Sequence, residues 1–231
     1  MGDAVRKAAL FEGVARAGKA LASGKRLELL DLLAQGERSV DALARTAGLN
    51  LTTASAHLQI LKQAGLVTTR RDGIRIHYRL AGADVAGLYA QLQQVAGRHL
   101  ADVDAARAAY LGPEDTEQLT RDELLARIKT GSAVLVDVRP AEEWAAGHIP
   151  GALSVPLDEL ESRLAELPDG TEIVAYCRGT NCVLAHDAAR LLMSRGRRAS
   201  RLVDGMLEWR LADLPVEAGG SAERSAATGA R

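Results

Sequence analysis

Glu172-Ile173-Val174-Ala175-Tyr176-Cys177-Arg178-Gly179 is an apolar, β-rich run that ends on one of the chain's two cysteines and enters a tight loop. Val183 to Met193 beyond it carries a helical pattern, so the stretch reads as strand, cysteine, loop and helix. Successive backbone N–H groups in such a loop, followed by a helix N-terminus, form a pocket of positive partial charge. That pocket binds anions and lowers a thiol pKa. Cys177 is therefore expected to be an activated thiolate, and Arg178, Gly179, Thr180, Asn181 and Cys182 form the candidate anion-binding loop around it.

Working outward, the C-terminal half alternates strand and helix. Ala133 to Val138 reads as a strand, Asp158 to Leu167 as a helix, Glu172 to Tyr176 as a strand, Val183 to Met193 as a helix and Ala199 to Val203 as a short strand. Such alternation implies a parallel sheet with helices on both faces, whose reactive groups lie at the carboxyl ends of the strands. Residues 217–231 are rich in Ala, Gly, Ser and charge and are expected to be a disordered tail.

The N-terminal half follows a different period. From Val5 to Gly48 apolar residues recur at helical spacing, with breaks at Ser23-Gly24 and Gln35-Gly36. Ser39 can cap a helix from Val40 to Ala47 and Asn50 a second from Leu51 to Ala64, with Gly48 and Gly65 as terminators. Two helices joined by so short a turn are a helix-turn-helix. Two alternating runs flank Asp72-Gly73, a hairpin signal. Asp84 to about Tyr110 is expected to be one long helix whose apolar seam, Leu88, Leu92, Val95, Val103, Ala106 and Tyr110, makes a dimer interface. Gly112-Pro113-Glu114-Asp115 reads as a linker.

Length and composition set the limits. At 231 residues the chain has room for two domains; 47% of residues are apolar and 26% charged, and no apolar run reaches the roughly 20 residues of a membrane span. No secretory signal is evident, so the cytosol is the default compartment, where two cysteines five positions apart suit reactivity better than a structural disulfide. Residues 1–111 hold fifteen Lys and Arg against ten Asp and Glu, whereas the remainder holds fourteen against twenty. The basic half points to an anionic macromolecular partner. Thr52, Thr53, Ser55, His57 and Gln59 suit base edges in a major groove, and Arg70, Arg71, Arg75 and Arg79 on the hairpin suit phosphates or the adjacent minor groove.

Two resemblances sharpen this. Lys25 to Leu33, Thr53 to Val67 and the wing Gly73 to Leu80 resemble the ArsR/SmtB family of winged-helix repressors, which implies a homodimer on a palindromic operator. Many members sense metals through a cysteine pair; the corresponding stretch here, Glu37 to Leu43, has no sulfur, and His99 with Asp102 is all that suggests the family's other site. No metal is assigned. Asp137-Val138-Arg139, Glu142-Glu143-Trp144, Gly147 to Ala152, Tyr176-Cys177-Arg178 and Asp204 to Trp209 resemble rhodanese domains in order and spacing. That resemblance implies that Cys177 accepts a sulfane sulfur as a persulfide and passes it to a thiol. Asp137, Arg139 and His148 are expected to form a structural network. Phosphatases and arsenate reductases of this fold need an Arg after a five-residue loop; Val183 stands there, which favours sulfur transfer. Cys182 is either a small packed residue or a second nucleophile that attacks the Cys177 persulfide.

The sequence thus describes two domains without cofactor: a mainly α winged helix-turn-helix over 1–111, a linker over 112–118, an α/β rhodanese-like parallel sheet over 119–216 and a tail. The expected function is a dimeric DNA-binding repressor that senses reactive sulfur through Cys177, its partners being double-stranded operator DNA, a sulfane-sulfur donor and a thiol acceptor. A DNA-tethered sulfurtransferase without sulfur-dependent regulation, and a non-catalytic sensor of anions or arsenicals, are the alternatives.

Overall fold

Short polar side chains open the helices of the N-terminal half. The computed structural model describes residues 2–219, and the chain divides into two compact units, Met1–Leu92 and Gln93–Arg231. Helices α1 (Gly2–Leu21) and α2 (Gly24–Gln35) lead to a two-residue strand, β1 (Arg38–Ser39). The Ser39 hydroxyl accepts from the Ala42 N–H at 3.2 Å and opens α3 (Val40–Thr46); the Asn50 side chain accepts from the Thr53 N–H at 2.8 Å and opens α4 (Leu51–Gln63). The expected helix-turn-helix is present. Strands β2 (Val67–Asp72) and β3 (Arg75–Leu80) form an antiparallel wing with β1 on its other side, in the order β1-β3-β2. Asp72 pairs with Arg75, so the turn residues are Gly73 and Ile74 rather than Asp72 and Gly73. Gly73 sits at φ +59, where a side chain would be strained. Leu29, Leu30, Leu33, Leu43, Leu58, Leu61 and Tyr78 are buried in this unit.

The long helix expected from Asp84 to Tyr110 is two helices, α5 (Ala83–His99) and α6 (Ala101–Leu111). Leu100 leaves helical geometry at φ −117 and ψ 104. Charge favours the break: Arg98 and His99 lie in the last turn of α5, while Asp102 and Asp104 lie in the first turn of α6, each complementing its helix dipole. Division into compact units falls inside α5, well before the expected boundary at Leu111. One reason is the Arg190 guanidinium, which donates to the Leu111 carbonyl at 2.9 Å and the Pro113 carbonyl at 2.7 Å and pairs with Asp115 at 3.0 Å. Leu111 itself is buried.

In the second unit β4 (Glu117–Leu119), α7 (Arg121–Lys129), β5 (Ala133–Asp137), α8 (Ala141–Ala146), β6 (Leu153–Ser154) and α9 (Leu157–Leu160) precede β7 (Glu172–Tyr176), α10 (Leu184–Ser194), β8 (Ala199–Leu202) and α11 (Met206–Leu211). The five strands are all parallel, in the order β4-β8-β7-β5-β6. Residues of β7 alternate between two cores. Val174 and Tyr176 pack with Leu119, Leu124, Met206 and Trp209, whereas Ile173, Ala175 and Cys177 pack with Leu160, Ala185, Ala188 and Leu192. Helices therefore cover both faces, as the alternation predicted. The helix expected over Asp158 to Leu167 is only the short α9 and a 3-10 turn at Leu164–Glu166. It breaks near Arg163, whose guanidinium reaches the Ser154 carbonyl at 3.0 Å.

Residues 217–219 were expected to begin a disordered tail, yet Glu217 exchanges backbone hydrogen bonds with His148 and Gly219 donates to the Ala145 carbonyl. The rest of that stretch lies outside the described residues. Among the described residues, no helix is long and apolar enough to cross a membrane.

Candidate functional site

Cys177 follows the last residue of β7 at the centre of the sheet, and a second segment fixes the loop after it. The Met206 N–H donates to the Cys177 carbonyl and the Leu207 N–H to the Arg178 carbonyl, both at 2.9 Å. Gly205 allows this approach, since a side chain there would run into the backbone of Arg178 and Gly179. Glu208, one turn into α11, accepts from the Thr180 N–H and hydroxyl, each at 3.2 Å, and from the Gly205 N–H at 2.9 Å. A protein carboxylate thus already holds one of the N–H groups expected to face an anion.

Both cysteines are free thiols: Cys177 is buried and Cys182 partly exposed. The Cys177 Sγ–H donates to the Cys182 carbonyl at 3.3 Å, and the two sulfurs share a hydrogen bond. Burial pushes the Cys177 thiol up, the bond to Cys182 pushes it further, and the backbone N–H groups of Ala185 and Gly179 offset only part of this. Cys182 moves the other way. The hydrogen bond from Cys177 holds it down against its own burial, helped by the N–H groups of Arg178 and Leu184 and the Arg178 charge. The expectation of an activated thiolate at Cys177 is therefore corrected. In this conformation Cys177 carries the proton and Cys182 the negative charge, because the loop closes over the deeper sulfur and its N–H donors serve both.

Arg178 does not point at an incoming anion or at solvent, the two orientations the sequence allowed. Its guanidinium is bonded to Glu143 on α8, Nη2 to Oε1 at 2.6 Å, and the Glu143 side chain is fully buried. Gly179, Thr180 and Cys182 lie partly buried along the loop and Asn181 is exposed. Beneath the loop, Asp137 accepts from the Arg139 Nε at 2.9 Å and Nη2 at 2.5 Å and from the Tyr176 hydroxyl at 2.6 Å. Arg139 also donates to the Gly147 carbonyl at 2.8 Å, and His148 stacks on Trp144 with ring centroids 3.9 Å apart. This network fixes the end of β5 beside the end of β7, where Asp137 and Tyr176 are register partners. Sequence reasoning gave no role to Glu143, Glu208 or the Tyr176 hydroxyl. A readable signal existed for Glu208, a Glu at the third position of a helix beginning after a glycine.

On the other unit, Thr52 and Gln59 are exposed on α4, while Thr53, Ser55 and His57 are half-buried. The Gln59 amide donates to the Tyr78 hydroxyl at 3.0 Å and ties α4 to the wing. His57 Nδ1 is buried and has no hydrogen-bond partner among the described residues. Arg71 and Arg75 are exposed, with the Arg71 Nε donating to the Gly73 carbonyl at 3.0 Å. Arg70 departs from the expected phosphate track: it is paired with Glu37 at 2.6 Å and lies 3.6 Å from Asp72. Its charge is largely offset inside the unit.

Comparison with known proteins agrees with both halves. Residues 120–212 match the rhodanese-like domain family and residues 21–70 a helix-turn-helix domain family. The HTH-type transcriptional regulator Rv0324 of Mycobacterium tuberculosis is 60% identical over 219 residues, covering 94% of this chain and 96% of the relative. A sulfurtransferase of Allochromatium vinosum is 34% identical over 90 residues, 38% of this chain and 82% of that protein. Among solved structures, a homodimeric winged helix-turn-helix DNA-binding domain of Mycobacterium bovis, described as a possible ArsR-family transcriptional regulator, is 63% identical; the match covers 42% of this chain and 90% of that one, with a TM-score of 0.40. Near-complete coverage by the M. tuberculosis protein, over both the winged unit and the thiol-bearing sheet, decides the matter: the chain belongs to the helix-turn-helix transcriptional regulators that carry a C-terminal rhodanese-like domain.

Proposed function

We propose that this regulator is a homodimeric, cytoplasmic repressor of the ArsR type whose operator binding responds to sulfane sulfur taken up at Cys177. One observation carries the reading: the two cysteines of the chain lie together in a loop of N–H donors at the carboxyl end of the central strand, while the other unit presents a helix-turn-helix and wing. Residues 1–111 serve DNA binding and dimerisation and 119–216 serve sulfur uptake. Thr52 and Gln59 meet base edges, Arg71 and Arg75 meet phosphate, and the apolar side chains Val5, Leu10, Phe11 and Val14 of α1, all more than 60% exposed, form part of the face that a second copy covers.

The donor is a hydropersulfide or polysulfide rather than thiosulfate. Arg178 is neutralised by Glu143 and the Glu208 carboxylate lies on the loop, so a dianion meets net negative charge there. Operator binding by the full-length protein before and after anaerobic treatment with a hydropersulfide, with intact mass read on the same samples, tests the function. Loss of binding that accompanies modification at Cys177 is expected. Modification with unchanged binding would leave a DNA-tethered sulfurtransferase in place of a sensor.

A further inference from the structure

Sulfane sulfur added to Cys177 enters a loop whose N–H donors already serve a second sulfur. Arg178 and Leu184 donate to Cys182, Gly179 and Ala185 donate to Cys177, and the two sulfurs are hydrogen-bonded to each other. The Cys182 N–H donates to the Gly179 carbonyl at 3.0 Å, which curls the loop back so that Cys182 overlies Cys177. Cys182 is partly exposed and Cys177 is 4% exposed, so a donor reaches the deeper sulfur past the shallower one. A persulfide at Cys177 therefore forms within reach of a nucleophile held in place before the reaction.

We propose that Cys182 resolves the Cys177 persulfide, so that the stable product of sulfane-sulfur exposure is an intramolecular Cys177–Cys182 disulfide and one free sulfide. This rests on the reading of Cys177 as the sulfur acceptor and adds the fate of that sulfur. In the first step the Cys177 proton passes to the Cys182 thiolate along their shared hydrogen bond. Cys177 Sγ then bonds to the outer sulfur of a hydropersulfide R–S–SH, the donor's S–S bond breaks and the donor leaves as the thiolate RS⁻. In the second step Cys182 Sγ attacks Cys177 Sγ. The Cys177–sulfane bond breaks and the Cys182 proton goes to the departing sulfur, which leaves as HS⁻. The sulfane sulfur is reduced by two electrons and the two cysteines are oxidised by two; the hydropersulfide is the only oxidant needed. The loop would thus report a sulfur donor as a closed covalent ring rather than as an added atom.

The test is intact mass and released sulfide for the full-length protein treated anaerobically with an alkyl hydropersulfide, in the wild type, Cys182→Ser, Cys182→Ala and Cys177→Ser. The wild type is expected to lose about 2 Da and release about one sulfide per chain, and both Cys182 variants to gain about 32 Da and release none. A wild type that instead holds a stable gain of about 32 Da without sulfide release overturns the resolving role but leaves uptake at Cys177 standing. Cys182 variants that remain unmodified while their tryptophan emission is native overturn uptake at Cys177 and the resolving step with it. Cys177→Ser gaining sulfur at Cys182 would assign the first attack to the wrong cysteine and overturn the proposal.

Discussion

Removing the Asp137 carboxylate should unfold the thiol-bearing unit long before it affects the winged unit. Asp137 and Arg139 form an ion pair with both side chains wholly buried, and the same carboxylate accepts from the Tyr176 hydroxyl and the Arg139 N–H. In Asp137→Ala the Arg139 charge loses the group that balances it, and breaking such a pair from one side costs about 3–5 kcal/mol. With a urea dependence of about 2 kcal/mol per molar, the unfolding midpoint should fall by roughly 2 M. The chain reports this itself: its two tryptophans, Trp144 and Trp209, are both buried in this unit, so their emission follows it without a contribution from the winged unit. Replacing both partners by apolar residues, Asp137→Leu with Arg139→Met, should recover most of the loss, since no charge is then stranded. A single variant whose midpoint moves by less than about 0.5 M, or a double variant as unstable as the single, would refute the claim that uncompensated charge is the cause.

Other positions give distinct expectations. Gly205→Ala should displace the cysteine loop and abolish sulfur uptake at Cys177, read by intact mass, while tryptophan emission remains buried in character. Glu208→Gln should raise the rate with thiosulfate by roughly tenfold and leave the hydropersulfide rate nearly unchanged, since a unit charge beside the loop opposes a dianion by about 1–2 kcal/mol; equal effects on both donors would remove the charge explanation. His186 is held down to about 4 by burial and by the charges of Arg201 and Arg190, against Glu114 and Asp187. Its folded value lies below its unfolded one, so its contribution is intact above pH about 6.5 and is lost as pH falls from there towards about 4. His186→Leu should flatten the change in urea midpoint between pH about 7.5 and about 5, and an unchanged slope would count against that assignment.

The legible parts of the sequence were those where local chemistry and packing demand the same residues. Glu172 to Tyr176 is a strand at the centre of the sheet, and its continuous apolar character is what burial on both faces requires. Ser39 and Asn50 marked helix starts because a cap is a local interaction between a side chain and a backbone group a few residues away. The capping pair Thr120 and Glu123 was equally local and could have located α7. Strands β4 and β6 were not legible: two or three residues carry no period, and those strands exist because β8 and β5 offer an edge to pair with. The site was half legible. Cys177 stood out from its strand, but the charge state of the pair depends on Cys182 folding back over it, and the quenching of Arg178 and Arg70 depends on Glu143 and Glu37, each more than thirty positions away.

Arg190 lies on the helix that begins directly after the cysteine loop, and its guanidinium is spent on the chain between Leu111 and Asp115. That limits how portable the thiol-bearing unit is. A recombination event or a graft that joined this unit to another DNA-binding domain at Gly112 would deprive Arg190 of one carbonyl and put a foreign segment on the others. A junction upstream of α6 would carry the whole collar along. Fusions of this kind should tolerate exchange of what precedes the collar far better than insertion within it.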